Sequence, residues 1–429
     1  MPAYRAHCLR FALTTCLAVA AVPASLLGAP PDSQLSSTAL ESLQGWLGRP
    51  RDQRPPLKNE SFSSSALTKE DATKAQDLLW QDHAAWIRAT RADEMKAKRI
   101  ELEGRSMKFD LKIFGEKPAT GYSLFISMHG GGGAPPQVNE KQWINQLRLG
   151  DAYLPKEGVY LTPRAPTDTW NLWHEGHVDT FFDRIIENLI VLEGINANRV
   201  FLMGYSAGGD GVYQLAPRMA DRLAAASMMA GHPNEASPLG LRNIGFALHM
   251  GALDNAYRRN AIAGEWKTRL DELASQDPGG YAHQVQIHEG KGHWMELEDR
   301  AAIPFMEKFT RNPRPTKIVW YQDDVIHDRL YWVGTDPAHA AAGDQITAER
   351  TGSTISLTTS RDFAVSLWLD DSMLDADQPV TVTKAGTVVF SGPVTRTISA
   401  LHQSLADRGQ SELMFPVRLE VPASPQAKR

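Results

Sequence analysis

The sequence predicts an α/β chain: a mostly parallel sheet with helices on both faces, followed by a small antiparallel β domain at the C-terminal end. Three observations carry this. Strand-like apolar runs alternate with a helix-period segment between about 105 and 312, the pattern of βα units around a parallel sheet. The stretch Arg311-Asn312-Pro313-Arg314-Pro315 breaks that pattern, and short alternating runs dominate beyond it. The 429 residues are enough for more than one core.

Within the first part, Phe109-Leu111-Ile113 alternates as a half-buried early strand. Tyr122–Met128, Gly158–Leu161, Val200–Met203, Ala224–Met229, Ile244–Met250 and Val285–His288 read as further strands. Phe182, Ile185, Ile186, Leu189 and Ile190 recur at helical spacing between Asp179 and Glu193 and are assigned to packing. In the second part, Ile318–Tyr321, Leu330–Val333, Phe363–Leu369, a hairpin at 380–390 and Phe415–Leu419 read as strands. A single helix there carries Ile398, Leu401 and Leu405 on one face.

The N-terminal stretch 1–24 reads as a secretory signal. Arg5 and Arg10 precede the mostly apolar run Phe11–Val22, and Val22-Pro23-Ala24 offers small residues for cleavage. Export to the periplasm or outside is the expectation, with no membrane span, because the run is too short and broken. Thr15 before Cys16 suits plain cleavage rather than lipid anchoring. Both cysteines, Cys8 and Cys16, lie in this leader, so no disulfide framework is expected. Residues 25–67 are rich in Ser, Pro and polar side chains and read as a partly ordered linker. Thr68, three residues before Asp71, starts a helical extension spanning 68–104. The formal net charge of −5 argues against nucleic acid or an anionic membrane as the main partner.

The chemistry centres on Gly204-Tyr205-Ser206-Ala207-Gly208, directly after the apolar run Val200–Met203. A serine hydroxyl becomes a useful nucleophile on a sharp strand-to-helix turn beside a base. Upstream, His129 is followed by Gly130-Gly131-Gly132-Gly133. Glycine leaves backbone N–H groups open to a developing oxyanion. A phosphate loop would need G-x-x-x-x-G-K-[ST], which this run lacks. Gly130 and Gly131, with Ala207 after the serine, are therefore the candidate oxyanion donors. Asp254 follows the strand-like Ile244–Met250, and His293 follows Val285–His288 beside Gly292. The order Ser206, Asp254, His293 assigns nucleophile, orienting acid and base.

On these residues the chain resembles the α/β-hydrolase superfamily over roughly 105–312. Trp170-Asn171-Leu172-Trp173, Asp179 and Asn198-Arg199-Val200 are similar to a secreted esterase branch that includes dienelactone-hydrolase-like, feruloyl-esterase-like and poly(hydroxyalkanoate)-depolymerase-like enzymes. Many relatives place H-G-x-x-D at the acid; here Met250 separates His249 from Gly251, and the G-x-x-D spacing remains. The resemblance implies a serine hydrolase of carboxylic esters, small or polymeric, working without a cofactor. A serine peptidase on the same fold and a polymer-binding role for residues 316–429 stay open as alternatives. Trp170, Trp173, His174, His232, Asn234 and Trp294 fall in loops at the same end of the sheet and are candidate substrate contacts. His174-Glu175-Gly176-His177 lacks the H-E-x-x-H pattern, and no metal is expected.

Overall fold

The computed structural model describes residues 32–423; the leader with Cys8 and Cys16 lies outside them. The chain begins with α1 (Ser33–Leu47), α2 (Lys69–Thr90) and α3 (Ala92–Ala97). The main sheet then builds from β1 (Arg99–Leu102), β2 (Arg105–Phe114) and β3 (Tyr122–Met128). Helix α4 (Pro136–Tyr153) leads to β4 (Gly158–Pro163), and α5 (Gly176–Leu192) to β5 (Ile195–Tyr205). Helix α6 (Ala207–Arg218) precedes β6 (Ala225–Met229) and β7 (Gly245–Gly251). Helix α7 (Arg259–Gln276), β8 (His283–His288) and α8 (Ala302–Met306) complete this part.

The eight strands pair in the order β1-β2-β4-β3-β5-β6-β7-β8. The first two join antiparallel, and β4, β3, β5, β6, β7 and β8 run parallel. Side chains alternate between two apolar clusters, as a pleated strand requires. Leu124, Ile126, Val200 and Leu202 pack with α5, α6 and α7. Phe125, Phe201, Met203 and Tyr205 pack with Tyr153 of α4 and with α8. Both faces are therefore covered, and the strands read as continuous apolar runs.

The C-terminal part holds β9 (Lys317–Tyr321), β10 (Arg329–Leu330), β11 (Val333–Gly334), β12 (Gln345–Thr351), β13 (Thr354–Thr359), β14 (Val365–Leu369), β15 (Val380–Lys384), β16 (Thr387–Gly392), α9 (Ile398–Arg408) and β17 (Val417–Val421). They form sheets of order β16-β15-β13-β12-β9 and β10-β11-β14-β17. Pairing is antiparallel throughout except between β13 and β15, which run parallel. The run expected to be one strand at Leu330–Val333 is two short bridges, because Tyr331 takes a positive φ of 54°. Trp320, Trp332 and Trp368 lie in the same apolar cluster as the α5–α7 face. This part is thus docked onto the main sheet through a shared core. Its large aromatics are buried there, and Val388 is its exposed large apolar side chain among the described residues.

Two N-terminal expectations change. The expected linker is ordered from Asp32 onward. Asp32 caps α1 by accepting from the N–H of Gln34 at 2.8 Å. Ala39, Leu43 and Trp46 then bury against α2 and against Ile398, Leu401 and Leu405 of α9. Short 3₁₀ turns at 51–53, 57–59 and 61–64 continue the segment. Ser36 donates to Asp71 at 2.6 Å, and Arg54 makes a two-pronged pair with Asp82, both bonds 2.9 Å. The segment looks polar because its few apolar residues meet a helix some 350 residues later in the chain. The helical extension also stops earlier than expected: 99–102 is β1, paired to β2. Leu43 is wholly buried, so Leu43→Ala is expected to lower stability by about 2–5 kcal/mol, read by urea denaturation. A true linker would show no change.

Candidate active site

Ser206 sits between the end of β5 and the start of α6 with φ 57° and ψ −120°. This is a strained conformation for a residue with a Cβ, and it lifts the side chain off the sheet. The flanking glycines make the turn possible. A Cβ on Gly204 would collide with the backbone of Gly208, and one on Gly208 with the backbone carbonyl of Met128. The Ser206 N–H donates to Met229 O at 2.9 Å, tying the turn to β6.

Asp254 follows β7 and His293 follows β8. The two loops are stitched together: Ala252 N–H donates to His288 O at 3.0 Å, and Leu253 N–H to Lys291 O at 2.8 Å. This brings Asp254 Oδ2 to 2.6 Å from His293 Nδ1, and His293 Nε2 to 2.9 Å from Ser206 Oγ. Asp254 is 3 % exposed and has Arg259 at 3.6 Å from its other oxygen. The acceptor-only carboxylate places the imidazole proton on Nδ1. Nε2 is then left to accept from the serine hydroxyl.

The glycine loop after β3 presses on the serine. A Cβ on Gly130 would lie 3.1 Å from Ser206 Cβ and 3.7 Å from Oγ. Buried His129 holds this loop. Its Nε2 accepts from Ala165 N–H at 3.1 Å, so its Nδ1 is the donor to Gly130 O at 2.6 Å. Burial pushes its pKa down to about 4, so the ring stays neutral. A trans peptide points its carbonyl and N–H in opposite directions. Anchoring Gly130 O on His129 therefore turns the Gly131 N–H away from that ring, in a loop whose Gly130 and Gly131 line the cavity. Gly131 has φ 121°, and a Cβ there would collide with Asn139. Ala207 is the first residue of α6, where a helix leaves N–H groups without intrahelical partners. Gly130 and Gly131 thus share the cavity wall with Ser206, and Ala207 follows it at the start of α6.

Sequence reasoning missed several contributors. Asn139 is wholly buried and clamps the loop. Its Oδ1 accepts from Gly132 N–H at 3.2 Å, and its Nδ2 donates to Gly132 O at 3.0 Å and to Asp168 at 2.7 Å. Burial works to raise the Asp168 pKa, but the bonds from Asn139 and Arg164 hold it below the usual range. Tyr205 donates to the carbonyl of His293 at 2.5 Å and accepts from Met295 N–H at 3.1 Å, fixing the base loop. A cavity of about 570 Å³ opens at Ser206, and α4 supplies Gln142, Asn145, Gln146, Arg148 and Leu149 to its lining.

The six candidate substrate contacts separate. Trp294, 50 % exposed, lines this cavity beside His293. Trp170, 55 % exposed, lies against Gly132 and Gly133, with Tyr257 at 5.9 Å between ring centroids. Trp173 is a correction: it is fully buried, and its Nε1 donates to His129 O at 2.9 Å, so it supports the loop from inside. His174, His232 and Asn234 are not brought into the lining of the Ser206 cavity. The His174 carbonyl accepts from Arg218 at 2.8 Å, and burial lowers the ring pKa. His232 and Asn234 close a turn on each other, the Asn234 N–H donating to His232 Nδ1 at 2.9 Å. Polar loop residues look alike in sequence whether they face a cavity or cap a turn. Among the described residues no cluster of metal-ligating side chains forms, and no helix is long and apolar enough to cross a membrane.

Beneath the serine turn, Asp210 is buried and accepts from His232 N–H at 2.6 Å. Burial outweighs that bond and Arg259, raising its pKa to about 6. The folded state then holds this proton more tightly than the unfolded chain, whose carboxyl stays near its ordinary value of 3.8. Its destabilisation is full above pH 6 and is relieved as pH falls from 6 towards 3.8. Asp210→Asn is expected to gain about 2–3 kcal/mol at pH 7 and little at pH 4. Urea denaturation of both proteins at the two pH values checks this.

No family model and no curated protein matches the sequence. Among solved structures, the chain is similar to a thermostable esterase, at 17 % identity and a TM-score of 0.39, covering 50 % of this chain and 62 % of that one. It is similar also to LpqC, a poly(3-hydroxybutyrate) depolymerase from Bordetella parapertussis, at 16 % identity and 0.38, covering 52 % and 92 %. A ferulic acid esterase aligns at 16 % identity and 0.35, covering 49 % and 96 %. The fold assignment rests instead on the chain's own strand order and turns. The β1-β2-β4-β3-β5-β6-β7-β8 sheet, the strained Ser206 turn after β5, and the Asp254 and His293 loops after β7 and β8 give this chain the α/β-hydrolase fold.

Proposed function

We propose that the protein is a serine hydrolase that cleaves carboxylic esters through an acyl-enzyme. The observation that carries this reading is the continuous relay from Ser206 Oγ to His293 Nε2 at 2.9 Å and from His293 Nδ1 to Asp254 at 2.6 Å. In the first step His293 takes the Ser206 proton as Oγ attacks the ester carbonyl. The carbonyl oxygen gains charge and is met by the N–H groups of Gly131 and Ala207, with Gly130 shaping the hole. His293 passes its proton to the leaving alcohol, and the acyl group remains on Ser206. Water repeats the sequence in reverse order of roles and releases the acid. Asp254 holds the tautomer and stabilises the imidazolium throughout. The basic and apolar leader supports export before this chemistry begins.

The test is turnover of 4-nitrophenyl esters by the wild type and Ser206→Ala, with a fluorophosphonate probe on each. Rapid hydrolysis and labelling by the wild type alone is the expected result. Equal turnover by Ser206→Ala would remove the assignment. A matched 4-nitroanilide tells ester from amide preference.

A further inference from the structure

Helix α4 places Gln142, Asn145, Gln146 and Leu149 at i, i+3, i+4 and i+7, one face of a helix. That face lines the cavity at Ser206, with Arg148 beside it. Gln146 is already engaged, donating to Ser127 Oγ at 2.7 Å. The side chains of Gln142, Asn145 and Arg148 make no hydrogen bond, ion pair or ring contact with any described residue. An exposed arginine on a helix is ordinary. This one is the sole Lys, Arg, Asp or Glu side chain lining the cavity that holds the nucleophile. Another large cavity with charged walls differs. There Arg51 and Arg54 pair with Asp82, and guanidinium groups already cover Trp46 and Trp86.

The relay decides which half of the ester meets α4. The leaving alcohol must lie within reach of His293 Nε2, which protonates it. It therefore falls on the wall made by His293 and Trp294. The acyl part is left to the wall of α4, next to the Gly130–Gly131 loop that receives the carbonyl oxygen.

We propose that α4 selects the acyl group, and that the preferred substrates are monoesters of dicarboxylic acids, whose free carboxylate pairs with Arg148. A guanidinium matches a carboxylate through two parallel N–H bonds, and no acidic residue lines the cavity to compete for it. This inference rests on Ser206 being the nucleophile.

The experiment compares 4-nitrophenyl hydrogen adipate with 4-nitrophenyl methyl adipate, which differ at the remote end by the charge and one methyl group. The wild type is expected to prefer the carboxylate by about fivefold in kcat/KM, mainly through KM, as suits an exposed pair. The preference should shrink in 0.5 M salt, vanish in Arg148→Gln, persist in part in Arg148→Lys and invert in Arg148→Glu. Equal kcat/KM for the two esters in the wild type, or a preference that survives Arg148→Gln, overturns the assignment to Arg148. Ser206→Ala separates the two levels. If it is inactive while the ester ratio ignores residue 148, only the acyl assignment fails. If it turns over both esters, the serine-hydrolase reading fails and takes this inference with it.

Discussion

Replacing Ser206 and His293 together by alanine is expected to lower kcat on a 4-nitrophenyl ester no further than either replacement alone, each by about 10⁴–10⁶-fold. The reason is geometric. Ser206 Oγ and His293 Nε2 are 2.9 Å apart, and in the proposed mechanism one proton passes between them, so removing either ends the same step. Asp254→Asn should cost less, about 10⁴-fold, by presenting the wrong tautomer at Nε2. The residue left behind still binds substrate and keeps its N–H donors at Gly131 and Ala207, so activity above the uncatalysed rate should persist in the double variant. Steady-state kinetics on the four proteins read this directly. Multiplying losses would show that the two side chains act in separate steps.

Asp221→Ala is expected to lower stability by about 3–5 kcal/mol without touching the Ser206 site. Asp221 is buried where the core of the main sheet meets the C-terminal sheets. Its carboxylate stands 3.2 Å from Arg408 Nε and accepts from Tyr331 N–H at 3.3 Å. Around it Arg222 pairs with Asp183 at 2.8 Å, and Arg311 donates to Asp221 O at 2.6 Å and to Gln410 at 2.9 Å. Burial depresses the pKa of Arg311 to about 10 and that of Arg329 to about 9, so these guanidinium groups already carry a desolvation burden. Removing the carboxylate strands positive charge in the core. Burial works to raise the Asp221 pKa, but Arg408, Arg222, Arg329 and Arg311 hold it below 3.8. Its stabilisation is therefore complete above about pH 3.8 and is lost as pH falls through the lower folded value. Urea denaturation near neutral pH measures the loss. A change under about 1 kcal/mol would mean that Arg408 finds another partner, such as Asp328 at 3.6 Å.

The parallel strands and the relay were legible because their signals are local. A strand buried on both faces must be largely apolar, and Val200–Met203 and Phe246–Leu248 are. The serine turn needs glycine on both sides, and Gly204 and Gly208 stand there. The order serine, acid, base follows from where β5, β7 and β8 end. What stayed hidden depends on partners far along the chain. The segment 32–67 looks like a linker until α9 covers Leu43 and Trp46. The pair Gln345–Thr351 and Thr354–Thr359 offers few inward apolar residues, and β12 and β13 gain their place by pairing with β9 and β15.

The acyl wall was silent for a related reason. Helix α4 buries Asn139, Gln146, Gly150 and Tyr153, a polar and small set without the apolar stripe that announces a helix. Trp173 and Trp294 are the same residue type in loops at the same end of the sheet, yet one is core and the other lines the cavity. The sequence by itself determined the sheet, the Ser206 turn and the two side chains that hydrogen-bond in series with Ser206, because strained turns and buried strands restrict residue type position by position. Only the tertiary structure decided which loop residues face the cavity and which close it, because an aromatic or amide side chain satisfies either environment and its neighbours choose.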